Sequence, residues 1–327
     1  MKPLVIFVDD EPNLLSGLKR SLRRESTIWD AAFALGGQEA LEIARDRTPQ
    51  VIVSDMRMPI MDGAELLKII STEFPETVRI ILSGEAELDA IYNVAGMSHR
   101  FFLKPMDNAV LAGQLNTILA AVSANPDLMR LAKFSCLPTP VETISALQQA
   151  TGKDPFPVDD IRSLILGNIA LSAKVLQIAN SEYFGRPQPI HSVNRAIDYI
   201  GPDSLSALLA QSNLADHPDD DGIDIELRSL DTRATALCGP DEVDDESSRS
   251  ATFLQFIPEL CTLAAAANNE TAIFTAQDAE FLMTVWGIPE DIVTDTMSLL
   301  AETSAPGRSV PESPVAKPTA AILEPAQ

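Results

Sequence analysis

The sequence predicts a doubly wound α/β domain, built on a five-stranded parallel sheet, followed by an all-α helical domain. Three observations carry that expectation. Short continuous apolar runs alternate with amphipathic segments over residues 1–122, and strand-like runs vanish beyond about residue 128. Aromatic residues make up only 5% of the 327 residues, so Leu, Ile, Val and Ala must fill the cores.

Element by element, Leu4–Val8 (LVIFV), Val51–Ser54 (VIVS), Val78–Leu82 (VRIIL) and Arg100–Leu103 (RFFL) read as buried strands, with Trp29–Ala34 a weaker fifth. Pro12–Arg24, Gly37–Arg47, Gly63–Phe74, Glu87–Ala95 and Asn108–Val122 carry the helical apolar period between them. Strands apolar on both faces and separated by helices imply a parallel sheet covered on each side. Its ligand site is expected at the carboxyl ends of the strands. From residue 136 to 302, helical periods appear in Val141–Ala150, Val158–Leu166, Ala170–Ser181, Asn194–Ile200 and Ser204–Leu214, and again over 251–267 and 276–301. Residues 123–135 are expected to form a linker. Residues 216–247 are expected to form a solvated acidic insert, broken by a short helix around Ile225–Leu237. The Pro-rich tail 303–327 is expected to be disordered.

Charge excludes some functions. With 24 basic and 47 acidic residues the chain carries −23, which repels polyanions and opposes nonspecific nucleic-acid binding. The 216–247 stretch holds 12 acidic residues and two arginines, so much of the excess is local. Three cysteines without CxxC spacing make neither a disulfide framework nor a zinc knuckle. Only three histidines occur, His99, His191 and His217, too few for a histidine-rich metal centre. The apolar start stops at Asp9-Asp10-Glu11, too short for a signal peptide, and no run is read as a membrane span. A cytoplasmic location is expected.

The chemistry concentrates where the first domain's strands end. The first strand runs into Asp9-Asp10, the third into Asp55, the fourth into Ser83-Gly84 and the fifth into Lys104-Pro105. Neighbouring strand ends bring carboxylates, a hydroxyl and an ammonium together, and carboxylates packed this closely call for a cation. Oxygen ligands suit Mg²⁺. Asp55, alone at the central strand end, is the expected nucleophile for a phosphoryl group, with Asp9 and Asp10 holding metal. Ser83 is expected to hydrogen-bond the new phosphoryl oxygen, and Lys104 to neutralise it, with Lys104-Pro105 a candidate cis peptide.

Through FVDDEP (7–12), VSDMRMPIMDG (53–63), ILSGEAE (81–87) and FFLKP (101–105), residues 1–122 resemble the receiver domain of two-component response regulators, a flavodoxin-like fold. The resemblance implies Asp55 as phosphoacceptor, Asp9 and Asp10 as the acid pocket, Ser83 as switch hydroxyl, Phe101 as switch aromatic and Lys104 as phosphate contact. It implies Mg²⁺ ligation by Asp10, Asp55 and the Arg57 backbone carbonyl, with Asp9 acting through water. Arg57 and Glu85 occupy the two positions that tune phosphate lifetime. They either pair across the pocket mouth or stand as separate solvated charges.

CLPTPVETISALQQATG (136–152), ILGNIALSAKVLQIANSEYFG (165–185) and IHSVNRAIDYIGPDSL (190–205) resemble the HDOD domain, a helical relative of the HD phosphohydrolases that usually lacks their metal site. FLMTVWGIPEDIV (281–293) is similar to that family's last stretch. The joint resemblance implies phosphoryl transfer from a histidine kinase or phosphotransfer protein, and a non-catalytic output acting through protein–protein contacts. Cyclic-dinucleotide enzymes or kinases are candidate downstream partners, and a homodimer is a further candidate. Two alternatives stand beside this reading. A metal-dependent phosphohydrolase is opposed by the histidine shortage, and a DNA-binding regulator lacks a basic recognition helix beyond residue 122.

Overall fold

The computed structural model describes residues 2–84, 92–151, 153, 155–181, 188–211, 220–238, 246–268 and 270–303. Five strands, β1 (Leu4–Val8), β2 (Asp30–Ala34), β3 (Val51–Asp55), β4 (Val78–Ser83) and β5 (Arg100–Leu103), form one sheet in the order β2-β1-β3-β4-β5. Every pairing is parallel. β1, β3 and β4 are buried along their whole length, which is why they read as unbroken apolar runs. Helices Pro12–Ser21, Gly37–Asp46, Gly63–Glu73 and Asn108–Ala124 flank the sheet. The expected helix at 87–95 lies largely outside the described residues, as do Glu85, Tyr183, Phe184, His217 and the tail beyond 303.

Among the described residues, ten further helices run from Val141 to Thr303. Helix Ile169–Ala179 is buried on every side, including Ser172, Lys174 and Gln177. A helix without a solvated face belongs at the centre of its domain. Thr275 and Asp278 form a reciprocal capping box at the start of helix Ala276–Trp286, and Gly287, at φ 73°, ends it in the left-handed conformation.

Three expectations need correction. Residues 123–135 are not a free linker: helix Asn108–Ala124 continues into a 3₁₀ helix, Pro126–Lys133, that buries Leu128, Met129, Leu131 and Ala132. The acidic stretch is not mainly a solvated insert: the helix expected around Ile225–Leu237 runs over 18 residues, Asp221–Cys238, and another, Glu246–Leu254, begins within the stretch. Its Leu227, Leu230 and Ala234 are buried, and Asp224–Arg228 and Arg233–Glu259 ion pairs lie along its flank. One 18-residue stretch, Ser250–Ala267, does reach span-like mean hydropathy at 1.2, with 56% of it buried within the fold.

Asp231 ties that acidic helix to the central one. Its carboxylate accepts hydrogen bonds from Ile169 N at 3.1 Å and Asn168 Nδ2 at 2.7 Å. Burial pushes its pKa up to about 6, against the lowering effect of those two bonds. A folded pKa above the unfolded one contributes stability below the unfolded value near 4, and that contribution is lost as pH rises through about 6. Asp231→Asn is therefore expected to gain on the wild type by on the order of 2 kcal/mol between pH 4 and pH 7. Urea unfolding midpoints of both proteins at the two pH values check this. An unchanged gap between them would contradict it.

Candidate functional site

The sheet brings Asp9, Asp55 and Lys104 together. β1 and β3 are adjacent and in register from Val5–Val51 to Val8–Ser54, so Asp9 and Asp55 leave neighbouring strands at the same level. Lys104, the residue after β5, places Nζ 2.7 Å from Asp9 Oδ2 and 2.5 Å from Asp55 Oδ1. Burial disfavours the Lys104 charge, but the hydrogen bonds it donates to Asp55 and Asp9, together with their negative charges, outweigh that and hold the ammonium's pKa above its usual value. The Lys104-Pro105 peptide is cis.

Ser83 is fully buried at the end of β4 and pairs with Leu103 on β5, while its carbonyl accepts from Lys104 N at 2.8 Å. Phe101 is buried in β5. Asp10 and Arg57 are exposed at the rim. The Arg57–Glu85 pairing involves a residue outside the described set.

The loop after β3 explains its own sequence. Asp62 caps helix Gly63–Glu73 by accepting from Glu65 N at 2.8 Å. Gly63 N donates to Met56 O at 2.8 Å, and a Cβ at Gly63 would lie 2.4 Å from the Asp55 carbonyl oxygen. Only glycine admits that approach, which packs the helix start against the phosphoacceptor candidate. Sequence reasoning missed a mainly apolar pocket of about 490 Å³ beside Asp9 and Lys104, lined in part by Leu14, Leu18, Val53 and Met106. The signal was Leu14, which with Leu15 and Leu18 gives helix Pro12–Ser21 more apolar surface than its one buried residue, Leu15, accounts for.

The donor set suits a hard cation. Asp9 and Asp55 are nearly buried and bring two negative charges against the single charge of Lys104, so one oxygen-rich negative charge is left over. Among the described residues, no group of three or more His, Cys, Asp or Glu is arranged to hold a metal; Asp9 and Asp55 are buried and Asp10 is exposed.

Comparison with known proteins bears on these strand ends. The response regulator receiver domain family matches residues 5–116, and the HDOD domain family matches residues 137–238. The chain joins a receiver domain to an HDOD domain. The receiver portion is similar to the transcriptional regulatory protein PrrA of Mycobacterium tuberculosis, 30% identical over 120 residues, covering 36% of this chain and 50% of that protein. It is also similar to a protein-glutamate methylesterase/protein-glutamine glutaminase of Lawsonia intracellularis, 33% identical over 129 residues, covering 37% of this chain and 36% of that one. The chain thus spans half or less of the length of these relatives. Among solved structures, the signal receiver domain of an HD domain-containing protein from Pseudomonas fluorescens aligns at 27% identity. That alignment covers 38% of this chain and all of that one, with a TM-score of 0.36. The HDOD match ends at Cys238, so residues 281–293 lie beyond it, while it includes the whole acidic helix Asp221–Cys238.

Proposed function

We propose that this receiver–HDOD chain is a response regulator whose Asp55 accepts a phosphoryl group from a histidine kinase or phosphotransfer protein. The carrying observation is the ion-paired trio in which Lys104 reaches both Asp55 and Asp9 at the carboxyl edge of the sheet. An Asp55 carboxylate oxygen attacks phosphorus, the donor's N–P bond breaks, and the imidazole keeps the electron pair and takes a proton. Lys104, already within ion-pair distance of Asp55, neutralises the incoming phosphoryl oxygens, and Ser83 donates its hydroxyl to one of them. Asp9, Asp10, Asp55 and the Arg57 carbonyl would hold Mg²⁺, which when bound supplies further charge neutralisation at the phosphoryl group. Arg57 and Glu85 are proposed to set the phosphate's lifetime. Phe101, in β5 beside Lys104, is proposed to report phosphorylation to neighbouring elements.

The receiver unit is taken as 1–122 and the helical unit as 136–302, acting in the cytoplasm. The helical unit is read as a non-catalytic module that engages a protein partner, such as a cyclic-dinucleotide enzyme or a kinase. HDOD membership and the chain's three histidines support that reading. Of these, His99 is fully buried in the receiver, with Nε2 2.9 Å from Ala132 O.

Incubation of the full chain with Mg²⁺ and acetyl phosphate, read by intact mass, tests the proposal. Acetate leaves as the Asp55 O–P bond forms, and the expected result is one phosphoryl adduct on the wild type and none on Asp55→Ala. An equal adduct on both proteins would overturn it.

A further inference from the structure

The receiver leaves one face of its sheet incompletely filled. Phe7 and Val53 are partners in the β1–β3 register, and Leu82 on β4 pairs with Asp55, two residues beyond Val53, so the three share a face. Helix Pro12–Ser21 lies against that face, and between them is the pocket of about 490 Å³, lined also by Met106 and Asn108 at the entry to the last receiver helix. Protein interiors are close-packed, with few voids larger than a water molecule. A volume of this size falls instead in the range of small-molecule pockets, roughly 300–1,000 Å³.

Gly17 keeps part of that space open. It lies in the middle of helix Pro12–Ser21 and lines the pocket, and a Cβ placed there meets no heavy atom within 4 Å. Glycine is the least favourable helix residue after proline, and no positive φ requires it at this position. Nothing approaches closely enough to need it either. What the missing side chain provides is room. Leu14, one turn earlier and 46% exposed, marks the open side.

The charge at the pocket selects its ligand. Asp9 and Lys104 both line it, and Lys104 is the one cation among the described residues that do. Lys104 is shared with Asp55, so the trio sums to one negative charge, on carboxylates only 6% and 8% exposed. Asp10, Glu11 and Asp107, exposed in the adjoining loops, carry the same sign, while Arg57 stands at the rim without lining the pocket. Asp9 Oδ1 accepts from Glu11 N at 2.9 Å and Oδ2 from Lys104 Nζ at 2.7 Å, which leaves lone pairs on both oxygens for a further donor. An anion entering here meets like charge, whereas an ammonium gains a charge-assisted hydrogen bond. We propose that the pocket is a binding site for a small amphipathic amine, its apolar body between helix Pro12–Ser21 and the sheet and its ammonium on Asp9. The site stands on the pocket and the ion-paired trio, and does not depend on Asp55 being the phosphoacceptor.

Ligand-observed NMR titration of the full chain tests this with three probes of one shape: phenethylamine, phenethyl alcohol and hydrocinnamate, which carry a cationic, a neutral and an anionic head. Phenethylamine should bind, the alcohol on the order of tenfold more weakly, and the carboxylate more weakly still. No binding by any probe overturns the site. Alcohol or carboxylate binding as tight as the amine's overturns the ammonium assignment. Gly17→Leu fills the open space with a better helix former, so it should keep the fold and weaken phenethylamine by on the order of tenfold or more. Unchanged affinity in that variant places the ligand elsewhere and overturns the proposal. Circular dichroism reports folding. Should Gly17→Leu not fold, Leu14→Arg, which sets a like charge at the open side from an already exposed position, takes its place with the same expected loss.

Discussion

Lys104→Met is expected to destabilise the protein by about 3 kcal/mol at pH 7 and by much less at pH 4. The wild-type ammonium is shared between two nearly buried carboxylates, 2.7 Å from Asp9 and 2.5 Å from Asp55. With the raised Lys104 pKa, that stabilisation is complete below the usual lysine value and lost only as pH rises through the higher folded value. Remove the cation and like charges face each other away from water. One carboxyl then holds its proton more tightly in the folded state than in the unfolded one. The variant's deficit therefore grows as pH rises through the carboxyl range and shrinks on acidification. Added Mg²⁺ should raise the variant's midpoint more than the wild type's, because it replaces the missing charge. Urea midpoints at the two pH values, with and without Mg²⁺, check this. An equal loss at both pH values would mean Lys104 contributes through packing instead.

Asp278→Ala is expected to cost about 3 kcal/mol, through two losses at one residue. Asp278 is 5% exposed. Its Oδ2 accepts from Thr275 N at 2.7 Å and Thr275 Oγ1 at 2.8 Å, closing the capping box of helix Ala276–Trp286. Its Oδ1 accepts from Arg130 Nη2 at 2.8 Å, and Arg130 belongs to the 3₁₀ helix joining the two domains. Arg130 also lies over the Phe274 ring at 5.3 Å and pairs with Asp127 at 3.1 Å, so it keeps partners when the Asp278 carboxylate goes. Asp278→Asn should cost about half as much, since an amide oxygen can still cap the helix. Thermal unfolding read by circular dichroism measures both. A loss under about 1 kcal/mol for the alanine variant would show that the connector is held by its apolar residues alone.

The receiver half was legible because its physics is local. Strands buried on both faces write themselves as apolar runs, and the parallel order then puts Asp9, Asp55, Ser83 and Lys104 at one edge without further information. The pocket rim was less legible: sequence grouped Asp10 with Asp9, but in the loop after β1 Asp10 is exposed while Asp9 stays buried. The acidic helix was legible only as a short one: Leu227, Leu230 and Ala234 carry its helical period, while the charges around them read as a solvated insert. The contacts of the central helix with the residues before β5 left the weakest trace. Lys174 and Gln177 sit in a mainly apolar helix, and their partners Ser98 and His99 lie more than 70 residues away. The one local sign was that Ile169–Ala179 has few polar residues, which marks a helix surrounded on all sides.

The central claim is that one carboxylate, Asp55, carries the phosphoryl group. Borohydride reduction of the acetyl phosphate-treated chain, followed by peptide mass mapping, tests it most directly, since an acyl phosphate is reduced to an alcohol while a free carboxylate is not. Homoserine at position 55 and unmodified aspartate at 9 and 10 is the predicted result. Reduction at Asp9 or Asp10, or a stable adduct that borohydride leaves untouched, would contradict the account.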